Sequence, residues 1–273
     1  MSRTYKATGI NLKGMALGEA DRLITLLTPE YGIIRAVAPS ARKQNSKLRG
    51  RSELFVVNDL LIAKGKSLDR ITQADTIQTY PGLSKDLGKL AASQYLAEIV
   101  LGIGLSEQPQ RELYQLFNEH LRRLETSKTG TAVLARLCHG VFHIMALSGM
   151  GIQVHNCMLT QEPMQPDLTD ANFRVGFSLE AGGVVRLLSR TSLAMEDSPP
   201  LKINSHLNAT ELTLLQQLTA GVLPQFELFT EKSPAQINQA WGKVERLLRD
   251  SVQYYLGYSI RSASLVDTVW ASF

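Results

Sequence analysis

The sequence predicts an α+β protein, with a small N-terminal β barrel followed by a helical region that a short β insertion interrupts. Three observations carry this prediction. Between Tyr5 and about Ile77, strand-like segments alternate with turn signals. After Tyr80-Pro81-Gly82, apolar residues recur at helical spacing. Between Gly149 and Pro200 that spacing disappears in a stretch rich in Pro, Gly, Asn, Asp and Thr.

The strand signals fall at 7–12, 22–28, 33–38, 54–63 and 70–79, and five short strands in so short a stretch fit a small barrel. Pro29 to Gly32 breaks the second segment from the third, and Lys64 to Ser67 breaks the fourth from the fifth. Helices are expected where Leu87, Leu90, Tyr95, Leu96 and Ile99 form an apolar stripe, and again over 110–124 and 132–148. A hairpin is expected between Phe173 and Leu187. Asn208 with Glu211, and Ser233 with Gln236 behind Pro234, have the spacing of helix-starting capping boxes. The last helix, carrying Trp241, Val244, Leu247, Leu248, Val252 and Tyr255, is expected to stop near Gly257. The expected division is a barrel domain at 1–80, helical parts at 81–152 and 201–273, and the insertion at 153–200.

The 273 residues, with 44% hydrophobic side chains, suffice for a substantial core. No apolar run approaches the roughly 20 residues of a membrane span, and the N-terminus lacks the apolar stretch of a signal peptide. Two cysteines, Cys138 and Cys157, do not make a disulfide framework. A cytoplasmic protein is the expectation.

Charge is unevenly placed. Residues 1–79 hold 13 Lys and Arg against 7 Asp and Glu, whereas the rest of the chain is slightly acidic. Within that basic third, Arg35, Arg42, Lys43, Lys47, Arg49 and Arg51 lie in a stretch without a single acidic residue. Such a run can be a plain solvated loop. Interrupting a strand-rich domain, it points instead to phosphate-backbone binding, which accepts single and double strands alike because phosphates carry no sequence information. Aromatic residues are sparse in this domain (Tyr5, Tyr31, Phe55 and Tyr80), so backbone contact rather than base stacking is expected to dominate.

Catalytic motifs are weak. Gly65-Lys66-Ser67 resembles the end of a P-loop, but Leu60 stands where that motif needs glycine, and the segment reads as a turn. Leu147-Ser148-Gly149 lacks the first glycine of a nucleophile elbow. His139 and His143, four residues apart on one helix face, could join His155, Cys157 and Cys138 in a metal cluster, yet Gly140 replaces the general-base glutamate of a zinc hydrolase motif. Histidines satisfied by local hydrogen bonds are the simpler account. No catalytic or metal-binding residues and no cofactor are expected.

Taken in order, several stretches resemble the RecO family of bacterial DNA repair proteins: Gly18-Glu19-Ala20-Asp21-Arg22 through Thr28 with Tyr31-Gly32, the segment from Val37 to Lys43 with Ser46, Tyr95-Leu96-Ala97-Glu98, the run from Phe177 to Gly183, and Leu247 to Ser262. The resemblance implies an oligonucleotide-binding (OB) barrel, a helical domain and a zinc-finger-like insertion. It also implies a non-enzymatic recombination mediator that anneals complementary DNA strands and, with RecR, helps load RecA onto DNA coated by single-strand-binding protein, whose acidic C-terminal tail would dock on the helical region. One departure is plain. Of the family's two Cys-x-x-Cys pairs only Cys157 remains, with Thr160, Arg186 and Ser189 at the other three places. A metal-dependent hydrolase using His139, His143, His155 and Cys157, and an RNA-binding adaptor on the same barrel, are the competing readings.

Overall fold

The computed structural model describes residues 4–128, 130–187, 201–223 and 233–270. Its chain separates into two compact units, Met1–Ser127 with Arg261–Val266, and Lys128–Ile260 with Asp267–Phe273.

In the first unit, strands β1 (Thr4–Leu17), β2 (Asp21–Thr28), β3 (Gly32–Ala38), β4 (Val57–Ala63) and β5 (Asp69–Gln78) close into a barrel in the order β1-β2-β3-β5-β4. A single-turn helix, α1 (Leu48–Arg51), connects β3 to β4. The long first strand makes closure possible. Its first half pairs with β4 from Thr4 to Ile10, and its second half pairs with β2 from Ile10 to Leu17. A register irregularity between Asn11 and Lys13 marks the change of partner, as a bulge bends a strand and strengthens its twist. Buried Asn11 holds this corner, its amide donating to the Arg51 and Glu53 carbonyls at 2.8 and 2.7 Å.

Small side chains fill much of the barrel interior, with Ala7, Ala36, Ala38, Ala41 and Ala74 packed among Ile24, Leu26, Leu60, Ile62 and Ile71. A five-stranded barrel is too narrow for large residues at every inward position. Leu27, on the opposite side of β2 from Leu26, is also fully buried. That outer burial explains why β2 reads as an apolar run rather than a clean alternation. β4 begins later than the sequence pattern suggests. Leu54, Phe55 and Val56 precede it as a turn in which Phe55 takes φ 63° and donates its N–H to the Asn11 carbonyl. Tertiary anchoring of buried Phe55 overrides its β propensity.

Helices α2 (Leu87–Ile103) and α3 (Arg111–Thr126) pack on each other and on outer faces of β1 and β2. Asp86 caps α2 by accepting from the Lys89 N–H at 2.9 Å. Glu98 on α2 accepts three hydrogen bonds, from the N–H groups of Arg261 and Ser262 and from the Ser262 hydroxyl at 2.6 Å. It thereby ties down the start of α7 (Ala263–Trp270), a short helix the apolar pattern does not announce.

In the second unit, α4 (Thr131–Leu147) packs against α6 (Pro234–Leu256), and α5 (Ala209–Gln217) packs against α6 as well. Both capping boxes form, with Asn208 and Ser233 accepting from the N–H groups of Glu211 and Gln236, and α6 stops at Gly257 in the left-handed conformation. Strands β6 (Val175–Ser178) and β7 (Gly183–Val185) of the insertion pair antiparallel, and β8 (Ser205–Leu207), from the segment expected to be helical, adds to β6 to give a sheet in the order β7-β6-β8. Phe177 opposite Val184 forms the centre of the expected hairpin, and both are buried. Among the described residues no helix is long and apolar enough to cross a membrane.

Burial raises the Glu98 carboxyl, but the Ser262 hydroxyl and the Ser262 and Arg261 N–H groups outweigh it and hold the pKa below the usual carboxylate range. A carboxylate with a depressed folded pKa stabilises the protein above its unfolded pKa of about 4.3 and loses that contribution as pH falls through the folded value. The thermal midpoint of the native protein should therefore fall more steeply below about pH 4.3 than that of Glu98→Gln, which has no charge to lose. Parallel pH profiles of the two proteins would refute this role for Glu98.

Candidate nucleic-acid interface

The basic residues singled out by the sequence do not form one patch. Arg42 and Lys43 lie in the loop between β3 and α1, which is rigidly held. Ala41 is buried in the barrel core, the Ser40 N–H donates to the Asp21 carboxylate at 2.7 Å, and the Arg42 N–H donates to the Ala20 carbonyl at 2.9 Å. The loop is thus pinned to the turn between β1 and β2. Ser46 accepts from the Leu48 N–H and starts the single turn of α1. Arg42, Lys43, Lys47 and Arg49 are all exposed, so four cations project from an anchored loop and a helical turn.

Arg42 also donates to the Gly18 carbonyl at 2.6 Å. With Arg49 it lines a small hollow of about 300 Å³ whose other wall carries Arg22 and Glu53, themselves paired at 2.8 Å. Arg22 lies outside the basic run, and its pairing register opposite Ala38 is what brings it beside the loop. An Arg-lined hollow of this kind suits a phosphate oxygen, which guanidinium groups bind through paired hydrogen bonds.

The other two residues of the run diverge. Arg51 is half-buried, 3.5 Å from Asp75, and its carbonyl accepts from the Asn11 and Asn58 amides, so its main part is structural. Arg35 sits on β3 and lines a separate cleft of about 710 Å³ together with Lys64 of the β4–β5 turn. Gly65-Lys66-Ser67 is part of that turn, as the missing P-loop glycine suggested. Of the four aromatic residues in this region, Phe55 and Tyr80 are core residues, the latter donating to the Asn118 side chain at 2.9 Å. Tyr5 and Tyr31 instead meet edge to face, 5.0 Å apart, in the wall of the cleft.

The histidine and cysteine residues of the hydrolase reading are occupied otherwise. His139 Nε2 lies 2.8 Å from the Ala220 carbonyl, His143 Nε2 lies 2.9 Å from the Leu218 carbonyl, and His155 Nε2 lies 3.2 Å from the Thr219 hydroxyl. A carbonyl only accepts, so the first two rings carry a proton on Nε2 and donate to the C-cap of α5 and to the turn just after it. Cys138 is fully buried, and that burial pushes its thiol pKa well up. Among the described residues no group of three His, Cys, Asp or Glu side chains is arranged to hold a metal ion.

Nor do the insertion's residues suit the zinc that the family resemblance implies. Cys157 Sγ accepts from the Arg186 N–H at 3.2 Å, and the Arg186 guanidinium reaches Glu162 at 3.2 Å. An arginine and a threonine are not zinc ligands, and a lone thiol leaves too few donors for a structural site; Ser189 lies outside the described residues. The purified protein should carry well under one zinc per chain, and a chelator should leave its thermal midpoint unchanged. Near-equimolar zinc with a chelator-dependent loss of stability would overturn this.

Comparison with known proteins places the chain. Family models described as recombination protein O N terminal and recombination protein O C terminal match residues 1–80 and 84–263. A DNA repair protein RecO from Gloeothece citriformis is 54% identical, with 98% of each chain covered. Those from Nostoc sp. and Synechocystis sp. are 52% and 46% identical, over 100% and 99% of this chain and 98% of each relative. With both halves of the family matched in order across nearly its whole length, the chain belongs to the RecO family of DNA repair proteins.

Proposed function

We propose that the protein is a DNA-binding recombination mediator that holds the phosphate backbone of single- and double-stranded DNA on its barrel, anneals complementary strands, and acts with RecR to help load RecA onto DNA coated by single-strand-binding protein. The observation that carries the DNA-binding part is the anchored cationic loop. Arg42 and Lys43 are exposed on a backbone held by Ala41, Asp21 and Ala20, and Lys47 and Arg49 are exposed on the α1 turn that Ser46 starts, which lowers the ordering cost of presenting the cations. Arg22, paired with Glu53, borders the hollow that Arg42 and Arg49 line, and Arg35 adds a cation in a separate cleft of the same barrel. Membership of the family supports the mediator part, and docking of the acidic tail of single-strand-binding protein on the helical region rests on that membership alone. The proposed role makes and breaks no bond, and so needs no catalytic constellation.

Replacing Arg42, Lys43, Lys47 and Arg49 together by alanine tests the reading, because these exposed side chains contribute little to folding. The native protein should show a slope of log K against log salt of roughly −3 to −4.5 on duplex DNA, corresponding to about three to five phosphate contacts, and the variant a slope closer to zero by about 3. Annealing of complementary strands coated with single-strand-binding protein, with RecR present, should fall in parallel. An unchanged affinity, slope and annealing rate would refute the assignment of the loop.

A further inference from the structure

The cleft that takes Arg35 lies where the barrel closes least completely. Strands β3 and β5 run parallel and pair only at Ala36 with Asp69 and Val37 with Arg70. The first residues of β3 find another partner, the Ile33 N–H donating to the Leu105 carbonyl at 2.8 Å. Between these two attachments the wall opens into the cleft, lined by Tyr5, Tyr31, Arg35, Lys64, Asp69 and Glu107 among others. Its volume of about 710 Å³ is in the range of sites that hold small ligands, and the lining mixes aromatic rings, aliphatic side chains, two cations and two carboxylates, of which Asp69 is engaged by Tyr5 and Gly65.

Tyr5 is held through its hydroxyl, and Tyr31 through its backbone and its ring contact with Tyr5. Asp69 accepts from the Tyr5 hydroxyl at 2.5 Å with one oxygen and from the Gly65 N–H at 3.1 Å with the other, which joins β1 to the β4–β5 turn. Gly65 cannot be exchanged there, since a Cβ would lie 1.8 Å from the Leu68 carbonyl oxygen. Tyr31 follows a similar rule. Its N–H donates to the Thr28 hydroxyl at 3.1 Å, and the next residue, Gly32, has φ 65° and leaves 2.0 Å between a would-be Cβ and the Leu105 carbonyl oxygen. Tyr31 is 37% exposed, and in an edge-to-face pair each ring keeps at least one face clear of its partner. Burial and the Asp69 carboxylate raise the Tyr5 phenol pKa well above its ordinary value, so it remains a neutral donor to Asp69.

We propose that this cleft captures one unstacked nucleobase of single-stranded DNA, with the base against the Tyr31 ring and a neighbouring phosphate on Arg35 and Lys64. The proposal rests on the DNA-binding reading above but concerns a different site. The cleft shares no lining residue with the Arg22, Arg42 and Arg49 hollow, and it contributes what phosphate contacts lack. A duplex keeps its bases stacked and has none to offer, so the cleft makes the barrel sense strandedness. The rigid tyrosine pair lowers the ordering cost of capture. Continuity favours nucleic acid as occupant, because β3 carries Arg35 into the cleft and then runs into the loop bearing Arg42 and Lys43.

The test titrates the full chain with an oligodeoxythymidine strand, a strand of the same length built from abasic sugar-phosphate units, and a duplex. Tyr31→Leu should weaken binding of the thymidine strand about 5- to 100-fold, the range that stacking on one aromatic ring supplies, and leave duplex binding within about twofold. Tyr31→Phe should behave as the native protein, and the native protein should bind the abasic strand as weakly as Tyr31→Leu binds either strand. Photo-crosslinking of 5-iododeoxyuridine strands to the native protein, a readout independent of any variant, should map to Tyr5 or Tyr31. Unchanged thymidine-strand affinity in Tyr31→Leu, or crosslinks confined to residues outside the cleft, overturns the proposal. If the loop variant loses DNA binding while Tyr31→Leu does not, the base site falls and the DNA-binding reading stands. If the native protein binds no DNA, both fall. Tyr31-dependent binding of a short acidic peptide ending in phenylalanine, with thymidine-strand affinity unchanged, would make the cleft a protein-docking site and overturn the base assignment.

Discussion

Closing a barrel with only five strands imposes a narrow interior, and most of the first unit follows from meeting that constraint. The inward positions must be small where strands approach closely, which is why alanine occupies five of the core places beside Ile24, Leu26 and Ile62. One strand must also serve two neighbours. β1 does so by running 14 residues and shifting register at Asn11, whose amide then finds the Arg51 and Glu53 carbonyls. Those contacts position α1 and the chain leading into β4. The same corner that bends the barrel therefore also locates the end of the basic segment.

The loop between β3 and α1 gains rigidity from this arrangement without a secondary structure of its own. Ala41 supplies an apolar foot inside the core, while the Asp21 carboxylate and Ala20 carbonyl receive backbone N–H groups from Ser40 and Arg42. A loop of long, like-charged side chains would otherwise extend and fluctuate under mutual repulsion. With the backbone fixed at Ser40 to Arg42, and the Arg42 guanidinium itself held at the Gly18 carbonyl, the loop keeps its shape while Lys43 remains exposed.

The sequence makes some of this plain and hides the rest for identifiable reasons. Strand and helix order, both capping boxes and the stop at Gly257 are legible because each depends on local chemistry. The outer half of β1 is not, since no side chain from Lys13 to Leu17 is buried and alternation has nothing to mark. α1 is a single turn and α7 is held by Glu98 from far along the chain, so neither has a periodic signal of its own. The candidate interface is legible in part. Charge density finds Arg42, Lys43, Lys47 and Arg49, but density cannot reveal that Arg51 faces Asp75, that Arg35 points into another cleft, or that Arg22 is brought in across the sheet. Counting aromatic residues likewise cannot reveal that Tyr5 and Tyr31 meet edge to face in one cleft.

The histidines illustrate the same limit from the other side. A spacing of four residues puts His139 and His143 on one face of α4, and their rings lie 4.1 Å apart. Spacing gives proximity but says nothing about what the nitrogens meet. Here they meet the carbonyl of Leu218, the C-cap of α5, and that of Ala220 in the turn just beyond it. Carbonyls without donors are costly away from water, so the imidazole N–H groups that reach them stabilise the packing of α4 against the chain that follows α5. The Nε2 hydrogen bonds fix both ring orientations, and among the described residues no third His, Cys, Asp or Glu side chain joins them to form a metal-binding group. The pattern that suggests metal chemistry in the sequence is, in the fold, a pair of donors that pins the end of α5 and the turn after it to α4.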